Sequence, residues 1–282
     1  MLFTVVTPCF NSAHLLEATI ESILSQSALQ NGTASLEYWI IDGASTDDTQ
    51  SLLNKYKSNP NIQIISEPDR GMYDALSKGL IRAKGHVVSY LNAGDIYHPK
   101  AFQVLSQVFK NPLVNWVTGY SCLCNEHGEI TMVWKPARFI NRLISTGFYG
   151  DVNRPHPWIQ QESTFWRKNL LQGLDFQKLA SLKLAGDYFL WCHFSKVSQL
   201  HSLHTLLGAF LCHDGQLSEK KSLYGKEVMS FCKKSSFTEK IIQWFEEGRF
   251  PKLRWKLQRF LPFLKYPPAI TYQGSEKGWA FD

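Results

Sequence analysis

The sequence of 282 residues has no run of eighteen or more uncharged apolar residues, and its first residues lack the basic and apolar regions of a signal peptide. These absences predict a chain without a membrane-spanning helix that stays in the cytoplasm. None of the six cysteines forms a Cys-any-any-Cys pair, which predicts reduced thiols rather than a disulfide framework. Aromatic residues make up 13% of the chain, a content that argues against overall disorder.

The excess of positive charge is confined to the end of the sequence. Residues 1–215 hold 17 Lys or Arg and 17 Asp or Glu, whereas residues 216–282 hold 13 against 7. A neutral body with a basic appendage argues against a nucleic-acid groove across the body. We therefore predict no nucleic-acid partner.

Short apolar runs alternate with amphipathic stretches through the first half of the chain, and this order is typical of a parallel sheet with helices on both faces. The pattern predicts strands over 3–7, 36–41, 62–65 and 87–91, and helices over 13–26, 46–55, 73–83 and 99–109. Residues 114–165 depart from this rhythm, and their aromatic content favours a functional loop. The later pattern predicts a helix over 166–171, a helix that begins near Ala185 and a strand over 206–212.

Polar residues follow the predicted strands at the sheet edge where ligands of open α/β sheets bind. Asp42 ends the second strand, where a carboxylate could accept the imide N–H of a pyrimidine or a donor of guanine. For Asp47 and Asp48 we favour a helix N-cap instead. The stretch 66–79 sets an acidic turn and a glycine before a helix start. Together these features indicate a site for a nucleotide-type ligand.

The sequence resembles the inverting family 2 glycosyltransferases, and more particularly members that assemble bacterial polysaccharides. The resemblance covers about residues 1–218 and rests on six stretches in order: Thr7-Pro8-Cys9-Phe10-Asn11, Asp42-Gly43-Ala44-Ser45-Thr46-Asp47, residues 67–79, Asn92-Ala93-Gly94-Asp95, Gln161-Glu162-Ser163-Thr164-Phe165-Trp166-Arg167 and Gly186-Asp187-Tyr188-Phe189-Leu190-Trp191. Each stretch is short, but their order and spacing together are specific.

The resemblance implies an α/β protein of the GT-A fold, with a Rossmann-like, mostly parallel sheet flanked by helices and a basic, mainly helical C-terminal extension. A glycosyltransferase domain is expected over 1–218, with a donor half over about 1–112 and an acceptor half over about 113–218. The extension then covers 219–282.

The resemblance also implies which residues bind the donor, a nucleotide diphosphate sugar. Thr7, Pro8 and Asp42 would hold the nucleobase and ribose, with Asn11 on the same edge. The diphosphate and sugar would lie against Asp69, Gly71, Asp74, Lys78, Asn92, Ala93 and Asp95. For residues 69–78 the alternative is a turn followed by an exposed pair of helical side chains.

The turn after the fourth strand usually reads Asp-any-Asp in this family, and its carboxylate binds a divalent ion that neutralises the leaving diphosphate. Here it reads Asn92-Ala93-Gly94-Asp95, so only Asp95 can supply charge. Either Asp95, the diphosphate and water hold Mg²⁺ or Mn²⁺, or the metal is weakly needed. His213 resembles a C-terminal His that joins the metal or phosphate in many such enzymes, although a lone His is also commonly structural.

An inverting transfer needs a general base, which the resemblance places at Asp187. The alternative for Asp187 is a helix N-cap. Glu162 is a rival base or a ligand of the acceptor hydroxyl, and Gln161 and Trp191 are expected on the acceptor side. The rings of Trp158, Trp166 and Trp191 are candidates to stack on sugar rings.

A basic amphipathic helix is predicted over 249–261, with Pro251 in its first turn. Such a helix is a membrane-surface signal, and the alternative is a helix docked on the body. Membrane contact would suit a polyprenyl-linked acceptor.

Three functions are weighed for the chain. The first is an inverting transfer of sugar from a nucleotide diphosphate donor, UDP-linked by preference, to a saccharide or lipid-linked saccharide during polysaccharide synthesis. The second is a non-catalytic nucleotide-sugar or saccharide-binding protein on the same scaffold, which the depleted acidic turn suggests. A nucleotidyltransferase ranks last, because residues 7–11 lack a glycine- and basic-rich phosphate loop.

Overall fold

The computed structural model of the chain describes residues 1–151, 158–212, 216, 219–247, 253 and 256–282. Its strands are β1 (Leu2–Cys9), β2 (Ser35–Asp42), β3 (Ile62–Ser66), β4 (Val87–Tyr90), β5 (Ile96–Tyr97), β6 (Trp116–Thr118), β7 (Ser121–Cys124), β8 (Ile130–Trp134), β9 (Thr164–Arg167), β10 (Leu200–Ser202), β11 (Gly208–Leu211), β12 (Ile270–Tyr272) and β13 (Trp279–Phe281).

Helices cover much of the remaining described chain. They are α1 (Ala13–Leu24), α2 (Ser27–Gln30), α3 (Thr49–Tyr56), α4 (Met72–Arg82), α5 (Ala101–Val108), α6 (Asn141–Ile144), α7 (Phe176–Ser181), α8 (Gly186–Ser195), α9 (Lys221–Phe231) and α10 (Phe237–Glu246). Short 3₁₀ helices lie at Phe148–Gly150, Gln161–Ser163, Lys168–Leu171 and Pro262–Leu264.

The central sheet has seven strands in the order β10-β6-β9-β4-β1-β2-β3. β1 pairs in parallel with β2 and β4, and β9 runs antiparallel between β4 and β6. The order β5-β11-β7-β8 forms a second sheet, and β12 and β13 form a hairpin. The mostly parallel α/β fold expected from the sequence is confirmed.

Both faces of the central sheet are covered, which explains the nearly continuous apolar run of β1. One core cluster contains Trp116, Trp166 and Trp191, and the other contains Phe3 and Phe102. No residue larger than glycine fits where α4 crosses β1, since a Cβ at Gly79 would lie 2.3 Å from Cγ1 of Val6. The close contact brings α4 and the loop before it onto the carboxyl edge of the sheet.

Two predicted helices differ from the structure. The helix expected over 46–55 begins at Thr49, because Asp47 accepts a hydrogen bond from the Thr49 backbone N–H (3.0 Å) and holds residues 46–48 in a turn. The helix expected over 166–171 is the end of β9 followed by a 3₁₀ helix. β9 is buried on both faces, so its apolar run shows no alternation that would distinguish a strand.

The stretch 114–165, interpreted as a functional loop, contains β6, β7, β8 and α6. The regular structure of β7, β8 and α6 was missed because these elements have only four or five residues each. Short elements of this kind leave too few residues for a periodic pattern to be read.

The C-terminal residues pack onto the same core as the sheet. Val228 of α9, Ile242 and Phe245 of α10, and Leu264 all belong to the cluster of buried tryptophans. Of the basic helix predicted over 249–261, residues 249–252, 254 and 255 lie outside the described residues. A domain boundary at residue 218 stays a prediction. Within the described chain, no helix combines the length and the apolar character needed to cross a membrane.

Candidate active site

Asp42 is the centre of a polar network at the end of β2. Its carboxylate is fully buried and accepts hydrogen bonds from the Ser45 backbone, from Gln50 Nε2 and from Ser66 Oγ (2.6 Å). A nucleobase donor would reach it by replacing Gln50 or Ser66. Asn11, with a left-handed φ of 47°, accepts from the Thr46 backbone N–H (2.8 Å) and so joins this network to the end of β1.

Thr7 and Pro8 lie in β1 opposite Ile40 and Ile41 of β2. Thr7 is fully buried, and its hydroxyl accepts a hydrogen bond from Tyr38 Oη (3.0 Å). The Thr7 side chain is therefore a core group, which corrects its assignment as a donor-binding side chain. Pro8 is buried as well, so these two residues shape the strand end on which Asn11 stands.

The loop before α4 joins the second predicted donor stretch to the first. Asp69 contacts Gly43, since a Cβ on that glycine would lie 2.7 Å from Asp69 Oδ2. Asp69 also accepts from the Gly71 backbone N–H (2.7 Å), and Gly71 takes a φ of 128° that favours glycine at the N-cap of α4. The contact with Gly43 places Asp69 and Gly71 beside the loop that follows Asp42.

The charged residues of α4 are paired within the chain. Asp74 forms an ion pair with Arg70 (3.1 Å), and this hydrogen-bonded contact lowers the pKa of Asp74. Lys78 pairs with Glu67 (2.8 Å) and donates to the Pro68 carbonyl (3.2 Å), so its ammonium lies on the loop side of α4. The Arg70 carbonyl accepts from Lys183 Nζ (2.6 Å), a cation of the loop before α8 that the sequence did not reveal.

The turn after β4 and the 3₁₀ helix Gln161–Ser163 contain buried oxygen atoms that lack a hydrogen-bond partner in the described chain. They are Asn92 Oδ1, Asp95 Oδ2 and Glu162 Oε1. The other oxygen of Asp95 accepts from the Leu211 backbone N–H (3.0 Å), and Asn92 Nδ2 donates to Gln161 (3.2 Å). Ala93 packs against the core cluster of Phe3. Burial raises the pKa of Asp95 and, together with the nearby charge of Asp95, that of Glu162.

The oxygen atoms of this turn suit a hard dication such as Mg²⁺ or Mn²⁺ by chemical type. Asp95 offers one carboxylate oxygen and Asn92 one amide oxygen, so a bound ligand or water would have to complete the coordination. Within the described residues, no group of three or more His, Cys, Asp or Glu side chains could hold an ion unaided. His213, the other predicted ligand, lies outside the described residues.

Asp187 stands in the first turn of α8, facing α4 and α9. The N-cap of α8 is Ala185, so Asp187 is not the capping residue, and that alternative is wrong. Tyr224 Oη donates to its two oxygens (3.3 and 3.2 Å), and Tyr73 Oη approaches Oδ1 (3.5 Å). Burial raises the pKa of Asp187 to about 6, while the tyrosine hydroxyls oppose that rise. A half-buried carboxylate in this range suits a general base.

Two residues of α9 complete the surroundings of Asp187, and sequence reasoning missed both. Tyr224 is one. The other is Glu227, whose carboxylate accepts from the backbone N–H groups of Lys183 (2.9 Å), Leu184 (2.7 Å) and Ala185 (2.7 Å). Their spacing of three residues, which places two side chains on one helical face, was the available signal. It went unused because the lysines around them made the segment resemble a solvated tail.

The structure corrects the acceptor role expected of Trp191. Its side chain has 0% exposure, and its ring stacks on Trp116 (5.8 Å between centroids) in the core. Trp166 is equally buried, so neither ring can stack on a sugar. Trp158 is 41% exposed, and its ring lies 5.7 Å from that of Tyr224. Of the three candidate rings, Trp158 is the one that lies beside Tyr224, the hydrogen-bond partner of Asp187.

The fold and the edge that carries these residues define a glycosyltransferase of the GT-A class. The chain is similar in fold to S. aureus TarS solved with UDP-GlcNAc, with a TM-score of 0.56 and 14% identity over 94% of this chain and 82% of that one. It is also similar to a mannosyltransferase from Pyrobaculum calidifontis solved with GDP-Man and Mn²⁺, with a TM-score of 0.57 and 18% identity over 93% and 72%.

The chain belongs to glycosyl transferase family 2, whose profile matches residues 4–154. Among curated proteins it is similar to the chondroitin synthase of Pasteurella multocida, with 29% identity over 109 residues. That match covers 38% of this chain and 11% of the length of the synthase. The family profile includes Asp42 and Asp95 and ends before α8 and α9, so Asp187 and Tyr224 lie beyond it.

Proposed function

We propose that the protein transfers a sugar, with inversion, from a nucleotide diphosphate donor to a saccharide or lipid-linked saccharide acceptor in polysaccharide synthesis. The observation that carries this proposal is Asp187, a half-buried carboxylate that lies beside Tyr73 of α4 and whose pKa is raised to about 6. A UDP-linked donor is preferred, and TarS, a protein of similar fold, was solved with UDP-GlcNAc.

Asp187 acts first on the acceptor. It takes the hydroxyl proton while the acceptor oxygen bonds to the anomeric carbon from the face opposite the diphosphate. The bond from that carbon to the diphosphate oxygen breaks, and the nucleoside diphosphate leaves with the electron pair. Asp69 and Gly71 line the donor on the α4 side, and Asn11 and Asp42 on the nucleobase side.

A divalent ion, when bound, would supply positive charge to the leaving diphosphate, with Asp95 and Asn92 as its protein ligands. Burial and the nearby charge of Asp95 raise the pKa of Glu162, which disfavours its ionised form and makes it the weaker candidate for the base. Glu162, beside Gln161, can instead bind an acceptor hydroxyl. Trp158 offers an exposed ring for a sugar face on the same side.

The first prediction concerns donor and metal. With UDP-glucose, UDP-GlcNAc or GDP-mannose and a panel of saccharide acceptors, we expect nucleoside diphosphate release from a UDP-linked sugar. Chelation by EDTA should lower that rate about tenfold or more, because the leaving charge loses its counter-ion. Product release by chromatography and the anomeric configuration by NMR are the measurements.

Each contrary outcome removes a different part of the proposal. Release from GDP-mannose alone would replace the UDP assignment, and a retained anomeric configuration would exclude inversion. Tight donor binding in calorimetry, without metal dependence or turnover on any acceptor, would favour the non-catalytic binding protein.

A contact with the membrane is proposed through the C-terminal residues. On α10, Phe237 is 80% exposed and lines a groove with Ile241 and Trp244. Lys240 lies in the same groove, and the end of the chain is rich in Lys and Arg. Exposed aromatic rings with neighbouring cations suit the surface of an anionic bilayer. The basic helix over 249–261 would extend this surface.

The second prediction tests this surface. Phe237→Ser should weaken binding to phosphatidylglycerol vesicles by about tenfold, because one buried aromatic ring contributes roughly 1.5–3 kcal/mol. Co-sedimentation at fixed salt is the measurement, with phosphatidylcholine vesicles for comparison. Leu113→Ser is the control, since Leu113 is 72% exposed but lies outside the basic segment. Equal binding by wild type and Phe237→Ser would remove α10 from the membrane proposal.

A further inference from the structure

Helix α9 lies outside residues 4–154, which match the family profile, yet two of its side chains contact the candidate base Asp187 or the backbone just before it. Tyr224 donates to the carboxylate of Asp187, and Glu227 binds the backbone that leads to it. We propose that Tyr224 and Glu227 are positioning residues for the transfer reaction, so that α9 is a working part of the active site. This inference rests on the proposed function of Asp187 as the base.

Glu227 binds the backbone that leads into α8, up to its N-cap residue Ala185, which has no side chain that could accept a hydrogen bond. Glu227 accepts three hydrogen bonds from this segment, at Lys183, Leu184 and Ala185. Its negative charge also lies at the positive end of the α8 dipole. The segment that presents Asp187 is therefore fixed from outside α8.

Tyr224 acts one helical turn away on the same face of α9. Its hydroxyl contacts both oxygens of Asp187, so it fixes the rotation of the carboxylate as well as its place. Val228, beside Glu227, is fully buried and packs where Cβ atoms on Gly147 and Gly150 would lie, 3.3 and 3.0 Å away. This packing of Val228 fixes the position of α9 relative to α8.

The third prediction is a shift in pH dependence. Tyr224→Phe removes a donor that favours the ionised carboxylate, so the acid midpoint of kcat should rise by about one pH unit. The titratable groups close enough to interact with the charge of Asp187 are Tyr73, Tyr90, Glu162 and Tyr224 on neighbouring elements and Cys192 on α8 itself. Tyr73→Phe tests the second hydroxyl and should give a smaller shift, because its contact with Asp187 is longer.

Glu227→Gln should lower kcat by about tenfold to a hundredfold with an unchanged donor KM, because the base is displaced while the donor edge is intact. Glu227→Asp keeps the charge on a shorter side chain and should recover part of the rate. Lys226→Gln is the matched control, since Lys226 is exposed on the same helix. Melting temperatures within a few degrees of wild type confirm that the variants are folded.

A ¹³C NMR titration of the Asp187 carboxyl separates this proposal from the assignment of the base. If Asp187→Asn is inactive while Tyr224→Phe and Glu227→Gln keep wild-type kcat and midpoint, the role of α9 is overturned and the base stands. If Asp187→Asn is fully active, the assignment of Asp187 as the base fails. If the titration midpoint of the Asp187 carboxyl is unchanged in Tyr224→Phe, the hydrogen bond between Tyr224 and Asp187 is refuted. A shifted titration with a lowered kcat supports the proposal.

Discussion

Asp187→Asn is expected to lower kcat by about 10²- to 10⁴-fold, the range that a positioned general base contributes. The amide keeps the size of the side chain and a hydrogen-bond acceptor for Tyr224, but it cannot take the acceptor proton. Donor affinity should change little, because Asp187 is proposed to act on the acceptor and is not among the residues proposed to bind the donor. Single-turnover rates and calorimetry with the preferred donor are the measurements.

The same prediction also fixes the direction in which kcat should change with pH. Burial raises the pKa of Asp187 to about 6, so its ionised, active form dominates above that pH. Wild-type kcat should therefore rise through pH 6 and reach a plateau, whereas the residual rate of Asp187→Asn should lack this step. Glu162→Gln is the comparison, because Glu162 is the rival base and burial raises the pKa of its carboxyl. A step that vanishes in Glu162→Gln and persists in Asp187→Asn would make Glu162 the base.

Gly186→Ala is expected to damage both stability and turnover. A Cβ at this position would lie 2.3–2.5 Å from the ring atoms of Tyr73, which is buried and bonded through its hydroxyl to the Leu184 carbonyl (2.9 Å). Overpacking of this kind costs typically 1–3 kcal/mol. Because Gly186 precedes the base, a displacement of about 1 Å should also reduce kcat by about a hundredfold.

Gly79→Ala separates these two effects. Its added methyl group would meet Val6 at 2.3 Å, so a similar loss of stability is expected, but Gly79 packs on β1 rather than beside the base. Denaturant unfolding should show comparable free energies of unfolding for the two variants, and kinetics should show the larger loss in Gly186→Ala. If both variants keep wild-type kcat, the contact between Gly186 and Tyr73 does not position Asp187.

The strands and the polar turns at their ends were predictable because their signals are local. A buried strand, a polar turn and a helix start follow one another within a few residues, as around Asp42 and Gly71. Asp187 could be named in the same way, from a short motif. The partners of Asp187 could not, because Tyr224 reaches it across 37 residues and the tertiary packing decides that contact.

The burial of individual side chains was the second property that could not be predicted from the sequence. Trp191 and Trp158 are the same residue type, yet one fills the core and the other is exposed beside Tyr224. Thr7 likewise faces Tyr38 within the core. Side-chain direction on an element buried from both sides depends on the layers above and below it, which a single strand or helix pattern does not record.

The contacts of α9 with Asp187 also have a consequence for the order in which the parts of the site appear during synthesis of the chain. A protein leaves the ribosome from its N-terminus, and its domains fold largely as they emerge. The donor edge, built from β1 to β4, is complete long before Tyr224 and Glu227 appear. A nascent chain would therefore contain the residues of the predicted nucleotide site well before it contains the two side chains that hold Asp187 in place.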